Sequence, residues 1–314
     1  MNTHRNIILF LMLLTAMFLS GCSKSFNIKE PDPSSIKYVS SVVGLQDFSI
    51  EDLREGDDKA ISVGRLNVVL VGMENEIEFL GNNIEKALNS RGIAAKYNST
   101  GTSENIQFKV KKFQIRNHRT SAFSPYYTFS MLSGDLVYGD MKKRITAYFK
   151  NGKVPVWAFR EVEEPCYNVP VSLMVKEIST KINRHVFGLQ SSDEKVEKLA
   201  HEINETNEKY NYLKVLELGY TNNPSAIPHL VELINHPDSM MRATAVSSLG
   251  MLQAEDQLDL LKKFYADHEN TQKFMALKSI GDLESDASKA FFDSVINSDD
   301  YNDEMIKEVV DLYL

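Results

Sequence analysis

Hydrophobic positions between residues 39 and 190 change their period several times. Val39–Ile50 is a strand candidate, and Leu66–Val71, rich in β-branched residues, is a clearer one. From Glu74 to Arg91 the spacing turns helical, with Ile77, Leu80, Ile84 and Leu88 on one face and Gly92 as the stop. The run from Asn105 to Arg119 alternates through Phe108 and Val110, then slips phase to Phe113 and Ile115. A one-residue slip would turn the wrong face to the core, so this pattern predicts a β-bulge at Lys111-Lys112. Tyr126–Tyr138 reads as another strand. Arg144–Phe149 and Val154–Arg160 flank Asn151-Gly152, a pair suited to positive φ, which predicts a hairpin turn. A last helix over Val169–His185 puts Val171, Met174, Ile178 and Ile182 on one stripe.

After residue 190 the period becomes longer than any single element. Leu218-Gly219, Leu249-Gly250 and Ile280-Gly281 are spaced by 31 residues, and two further registers keep the same spacing. One holds Leu199, Leu230, Leu261 and Phe292, the other Ile203, Ile234, Tyr265 and Ile296. A period shared by core positions as well as glycines is a structural repeat. Within one unit Ile227–Ile234 supplies a helix, His236-Pro237-Asp238 a turn, and Met240–Leu252 a second helix. Pro237 closes the first helix, and the Asp238 carboxylate suits the free N–H groups that open the second. The absence of a Cβ at Gly250 leaves room for the next unit.

The stretch from Ser225 to Leu252 resembles a HEAT repeat of the short bacterial type. The likeness rests on Pro237-Asp238 in the turn, Met241-Arg242, Ala245 in the close-packed position and Leu249-Gly250. The next unit, 254–283, keeps Gln272-Lys273, Ala276 and Ile280-Gly281 but has Asp267-His268 in place of Pro-Asp. More divergent units at 195–219 and 286–314 fit caps of a stack of about four helical pairs. In that family Met241, Ala245, Leu249, Ala276 and Ile280 would pack inside. Ala243, Ser247, Phe274 and Lys278 would line a concave groove, the candidate partner-binding surface, where Phe274 is either an anchor for a partner or packed on a neighbour.

The N-terminus carries an address. His4 and Arg5 precede an apolar run, Ile7–Leu19, broken only by Thr15, which is too short for a membrane span and suits a signal-peptide core. Leu19-Ser20-Gly21-Cys22 then resembles the bacterial lipobox, the alternative being a plainly secreted or uncleaved signal. The resemblance implies cleavage before Cys22, acylation of its thiol and amine, and a lipid anchor. With Ser23 rather than Asp next, it places the protein at the outer membrane facing the periplasm. Residues 1–21 are then a signal peptide and 22–38, with Pro31 and Pro33, a lipidated tether. Residues 39–190 form an α+β domain and 191–314 an all-α HEAT-like solenoid. The first of these, behind a lipobox, also resembles YajG and transport-auxiliary lipoproteins, which implies a sheet with two helices on one face and carries over no site residue.

Charge divides the chain at the same place. Residues 1–190 hold 24 basic and 19 acidic residues, net +5, and residues 191–314 hold 11 and 24, net -13, which together give the total of -8. The bases Lys109, Lys111, Lys112, Arg116, Arg119, Lys142, Lys143 and Arg144 read as a solvated sheet face, with anionic headgroups or the acidic second domain as other neighbours. Nucleic acid is not an expected partner in that compartment.

Catalytic patterns are missing from the sequence: it has no HExxH, GxSxG, P-loop or dinucleotide glycine motif. His229 and His236 flank a turn, no metal is expected, and the only cofactor-like group is the covalent lipid on Cys22. Cys166 has no second thiol in the mature chain and stands as a packed thiol or an intermolecular bridge. Two functions follow. The preferred one is a non-catalytic scaffold, anchored in the membrane, that captures another envelope protein in the HEAT-like groove. The other is an accessory of a transport or assembly system, binding a lipid or transporter component through the α+β domain. A long apolar cavity under helix 169–185 would favour the second, a filled core the first.

Overall fold

The phase slip in Asn105–Arg119 is a β-bulge. In the computed structural model, which describes residues 23–39, 44–100, 105–121, 123–205 and 211–314, Val110 pairs with Gly134 and Lys112 with Ser133, leaving Lys111 as the extra residue. The strands before the first helix are β1 (Lys24–Asn27), β2 (Gln46–Asp52), β3 (Ser62–Gly64) and β4 (Val68–Val71). Helix α1 (Glu76–Ser90) leads to β5 (Ala95–Tyr97), β6 (Ile106–His118), β7 (Tyr126–Tyr138) and β8 (Met141–Lys153). The main sheet has the order β5-β2-β6-β7-β8 with β3 also on β6, parallel on one side and antiparallel from β6 to β8. A short helix α2 (Arg160–Glu163) runs through a wide turn into α3 (Val169–Ile182). Helices α1 and α3 pack on each other and on the sheet, α1 over β2 and β5 and α3 over β7 and β8, which makes them two helices on one face.

Three local expectations are corrected. Asn151-Gly152 is not a turn: β8 continues through it, pairing Asn151 with Thr128 and Gly152 with Tyr127. The glycine is there for space, since a Cβ on it would lie 2.5 Å from the Tyr127 ring. The reversal is instead at Gly139, whose φ of 56° suits a residue without a side chain. The described residues of the expected tether, 23–38, are built into the fold: β1 pairs in parallel with β4 as a separate two-stranded sheet, and Phe26, Ile28, Ile36 and Tyr38 are buried. Alternation is invisible in so short a strand, so composition alone misled. The strand expected at Val39–Ile50 forms later, as β2, and its residues 40–43 lie outside the described ones.

The remaining described chain is helical and consistent with a HEAT-like stack. Its helices are α4 (Asp193–Glu205), α5 (Asn211–Tyr220), α6 (Ile227–Leu233), α7 (Ser239–Met251), α8 (Leu258–Asp267), α9 (Asn270–Asp282), α10 (Asp286–Ile296) and α11 (Glu304–Asp311). They pair in order, and the register Leu199, Leu230, Leu261 and Phe292 is buried throughout. Asp238 caps α7 by accepting from the N–H of Met240 at 2.7 Å and of Met241 at 3.1 Å. Arg242 ties its unit to the next, donating to Gln272 at 2.8 Å and to the carbonyl of His236 at 2.7 Å. One period later Lys273 reaches Asp300 at 3.1 Å. The repeated glycines are contact points between units, a Cβ on Gly250 falling 2.5 Å from the Ser279 Cα.

Candidate functional site

The second helices of the stack, α5, α7, α9 and α11, present one face to the first domain, and that face is where the groove residues lie. Ala243, Ser247, Phe274 and Lys278 are all buried. They share a face, as the repeat register requires, but the expectation of a groove open to a partner is corrected: β8 and α3 of the same chain fill it. Phe274 packs under Lys150 of β8, whose Nζ stands 5.3 Å from the ring centroid. Burial lowers the pKa of that lysine, outweighing the charge of Asp303. Lys278 goes further and joins a closed ring of charges.

That ring contains Glu177 and Lys181 of α3 with Lys278 and Asp282 of α9, each at most 3% exposed. Lys278 Nζ lies 2.6 Å from Glu177 Oε1 and 2.9 Å from Asp282 Oδ2. Lys181 Nζ lies 2.7 Å from Glu177 Oε1 and 2.6 Å from Asp282 Oδ1. Signs alternate around the ring and the net charge is zero, the condition under which buried ions are tolerable. Lys181 also donates to the Thr146 carbonyl at 2.6 Å, Lys278 to Ser247 Oγ at 3.0 Å, and the Tyr313 hydroxyl to Asp282 at 2.8 Å. Burial alone would push the Asp282 carboxyl up, but Lys181 and Lys278 outweigh it and hold it well below the usual carboxylate range. With no opening to solvent, the ring locks two parts of the chain together and offers nothing to a substrate. Sequence reasoning missed Glu177 and Lys181 because they sit beside an apolar stripe. The signal that could have found them is the pair of complementary i, i+4 steps, Glu177 to Lys181 and Lys278 to Asp282.

The charge asymmetry of the two halves has the same explanation in part. Arg116 reaches Glu304 at 3.1 Å and Glu308 at 2.5 Å, and Lys143 reaches Glu284 at 3.1 Å, all across the junction. Other bases of the sheet pair inside the first domain: Lys111, Lys142 and Arg144 surround Asp135 at 3.1, 3.3 and 2.7 Å, and Arg144 also donates across the junction to the Leu312 carbonyl at 3.4 Å. Lys109 pairs with Glu51 and Lys112 with Asp58. Cys166 is buried under the sheet, its carbonyl accepting from Thr128 Oγ1 at 2.8 Å, and burial pushes its thiol up to about 12. His229 meets Glu197 at 3.2 Å and His236 accepts from the Asp238 N–H at 3.0 Å, so the two histidines have separate roles. Cys22 lies outside the described residues.

An open cleft of about 1110 Å³ remains at one end of the junction. One wall is the start of β7, the end of β8 and the start of α2, with Tyr127, Lys150, Lys153 and Arg160. The other is made by helix ends of the stack, with Tyr212, His236, Asp238 and Met240. Its lining mixes apolar surface with both signs of charge, which suits a peptide or protein segment better than a purely apolar ligand.

Residues 196–281 match the family of HEAT repeats. The matched stretch covers the first three helix pairs and stops at Gly281, before the pair that meets the sheet through Glu304 and Glu308. Solved structures similar to the chain include the following two. A crystal structure titled only as an uncharacterized protein has 12% sequence identity and a TM-score of 0.30, covering 52% of this chain and 99% of its own. A minor lipoprotein from Acinetobacter baumannii has 10% identity and a TM-score of 0.27, covering 47% of this chain and 96% of its own. At these scores neither likeness bears on function. No curated protein matches the chain.

Proposed function

We propose that this protein is a membrane-anchored lipoprotein of the cell envelope that works as a non-catalytic interaction scaffold. The anchor is the lipid on Cys22, and the lipobox-like Leu19-Ser20-Gly21-Cys22 supports an outer-membrane position facing the periplasm. The observation that carries the scaffold reading is the cleft at the junction of the HEAT repeats and the sheet. Because the concave face is occupied by β8 and α3, the surface left for another envelope protein is this cleft rather than Ala243, Ser247, Phe274 and Lys278. The accessory reading has less support at the helix-sheet interface, where Val171, Met174, Ile178 and Ile182 are all buried. The ring of ion pairs makes the two domains a single presenting body, so the walls of the cleft are held at a set separation.

Photo-crosslinking in cells tests the reading. A crosslinker at Met240 or Thr271, both lining the cleft, should give a discrete protein adduct, while one at the exposed Lys263 on the outer helix α8 should not. Equal adducts from all three positions, or none from the cleft, would sink it.

A further inference from the structure

Three exposed apolar side chains stand out among the described residues: Phe123 at 97% exposure, Val154 at 60% and Trp157 at 83%. They belong to two loops, the one that holds Phe123 before β7 and 154–159 after β8. Those loops leave the sheet at one end, since Tyr126 and Lys153 are cross-strand partners. The loops also meet each other: the Arg119 guanidinium carbon stands 5.5 Å from the Phe159 ring centroid. On the same ring, at 4.9 Å, lies Lys24 Nζ from the first residue of β1. Lys24 is fixed there by its N–H bond to the Asn67 carbonyl at 3.0 Å and by its pairing with Val68. Cys22 precedes Lys24 by two residues, a length of chain that spans at most about 7 Å.

We infer that this end of the first domain is a membrane-contact surface, in which Trp157, Phe123 and Val154 enter the headgroup region of the bilayer next to the acylated cysteine. The inference rests on the lipid-anchor reading of Cys22. An exposed tryptophan flanked by aliphatic and cationic groups is suited to the membrane interface, where the ring is half in contact with acyl chains and its N–H with water. Lys24, Arg119, Lys153 and Arg160 give the same end a basic character that suits anionic headgroups, offset in part by Glu161, which pairs with Lys153 at 3.8 Å. The lipid anchor alone would let the protein hang freely on its acyl chains. A second, side-chain contact within reach of the anchor fixes which way the body faces, and so directs the junction cleft, whose rim includes Val154 and Arg160, toward the membrane side.

Trp157 is the only tryptophan in the chain, so its fluorescence reports this surface directly. The full-length acylated protein would be reconstituted, without detergent, into vesicles of phosphatidylethanolamine and phosphatidylglycerol, and the mass of its N-terminal peptide read in parallel. The expected result is a blue-shifted emission that brominated acyl chains quench and aqueous acrylamide reaches poorly. The control carries Trp157→Phe with Leu314→Trp. Leu314 follows Leu312, whose carbonyl accepts from Arg144 at 3.4 Å, and Arg144 is nine residues from Lys153 along β8. That is about 30 Å from the contact surface, so this tryptophan should stay water-exposed and unquenched by bromolipid. An acylated protein whose Trp157 keeps a water-like emission in vesicles overturns the contact surface and leaves the anchor standing. Equal bromolipid quenching at both positions overturns it too, because the body would then have no preferred face. A peptide without acyl groups overturns the anchor, and the contact surface with it.

Discussion

Lys278 Nζ lies 2.6 Å from Glu177 Oε1, joining the third unit of the helical stack to the long helix of the α+β domain, with both side chains fully buried. On sequence grounds Lys278 faces a partner. In the folded chain that partner is internal. Lys278→Met should therefore destabilise the protein by about 3–5 kcal/mol, because it leaves the two acids of the ring with one cation. Adding Glu177→Met restores neutrality through Lys181 and Asp282 and should recover at least half of the loss. Denaturant melts on the single and double variants measure this, and equal loss in both would mean that the ring does not act as a unit.

The repeat makes a graded prediction at its glycines. An added Cβ at Gly250 would meet Ser279 backbone atoms at 2.5 Å, whereas at Gly219 it first meets the Ser248 side chain at 2.9 Å. Gly250→Ala should cost on the order of 1–3 kcal/mol by forcing α7 and α9 apart, and Gly219→Ala less. Leu249→Ala, which opens a cavity in the same unit, should cost about 2–5 kcal/mol. Thermal melts that rank Gly219→Ala as the worse glycine variant would contradict the spacing between units.

Acid should weaken the junction through Glu284. Burial pushes its carboxyl up, but the hydrogen bond and charge of His185, the charge of Arg184 and the hydrogen bond from Lys143 outweigh it, lowering it from 4.5 to about 2. A depressed carboxylate contributes stability above its ordinary value and loses it as pH falls through the folded one, so the window runs from about pH 4.5 down to about pH 2. The contribution at stake is on the order of 2–3 kcal/mol. Denaturant midpoints taken across that window should fall more steeply for the parent than for Glu284→Gln; parallel curves would refute this role.

Cys166 should be inert in the folded protein. Its thiol is buried and pushed up to about 12, so little thiolate forms at neutral pH. Iodoacetamide should label it only after unfolding, and rapid labelling of the native chain would mean that the α2–α3 region opens readily.

The sequence by itself determined much of what depends on local period, although the strand expected at Val154–Arg160 is a loop that leads into α2. The bulge at Lys111, the Asp238 cap, the buried stripe of α3 and the 31-residue register of Leu199, Leu230, Leu261 and Phe292 follow from which face a residue must turn to a core, and neighbours a few residues away decide that. What tertiary structure alone decided was the use of faces that period leaves open. Ala243, Ser247, Phe274 and Lys278 share a face in either case, but only the docking of β8 and α3 makes it an interior, since charge complementarity between segments 100 residues apart has no period to read. Gly152 shows the same limit at one position: Asn-Gly favours a turn locally, and the chance to pair β8 with β7 over thirteen residues, with the Tyr127 ring packed where a side chain would have been, overrides it. Lys24–Asn27 became a strand for the same reason, because a four-residue segment gains its hydrogen bonds from β4 and not from its own pattern.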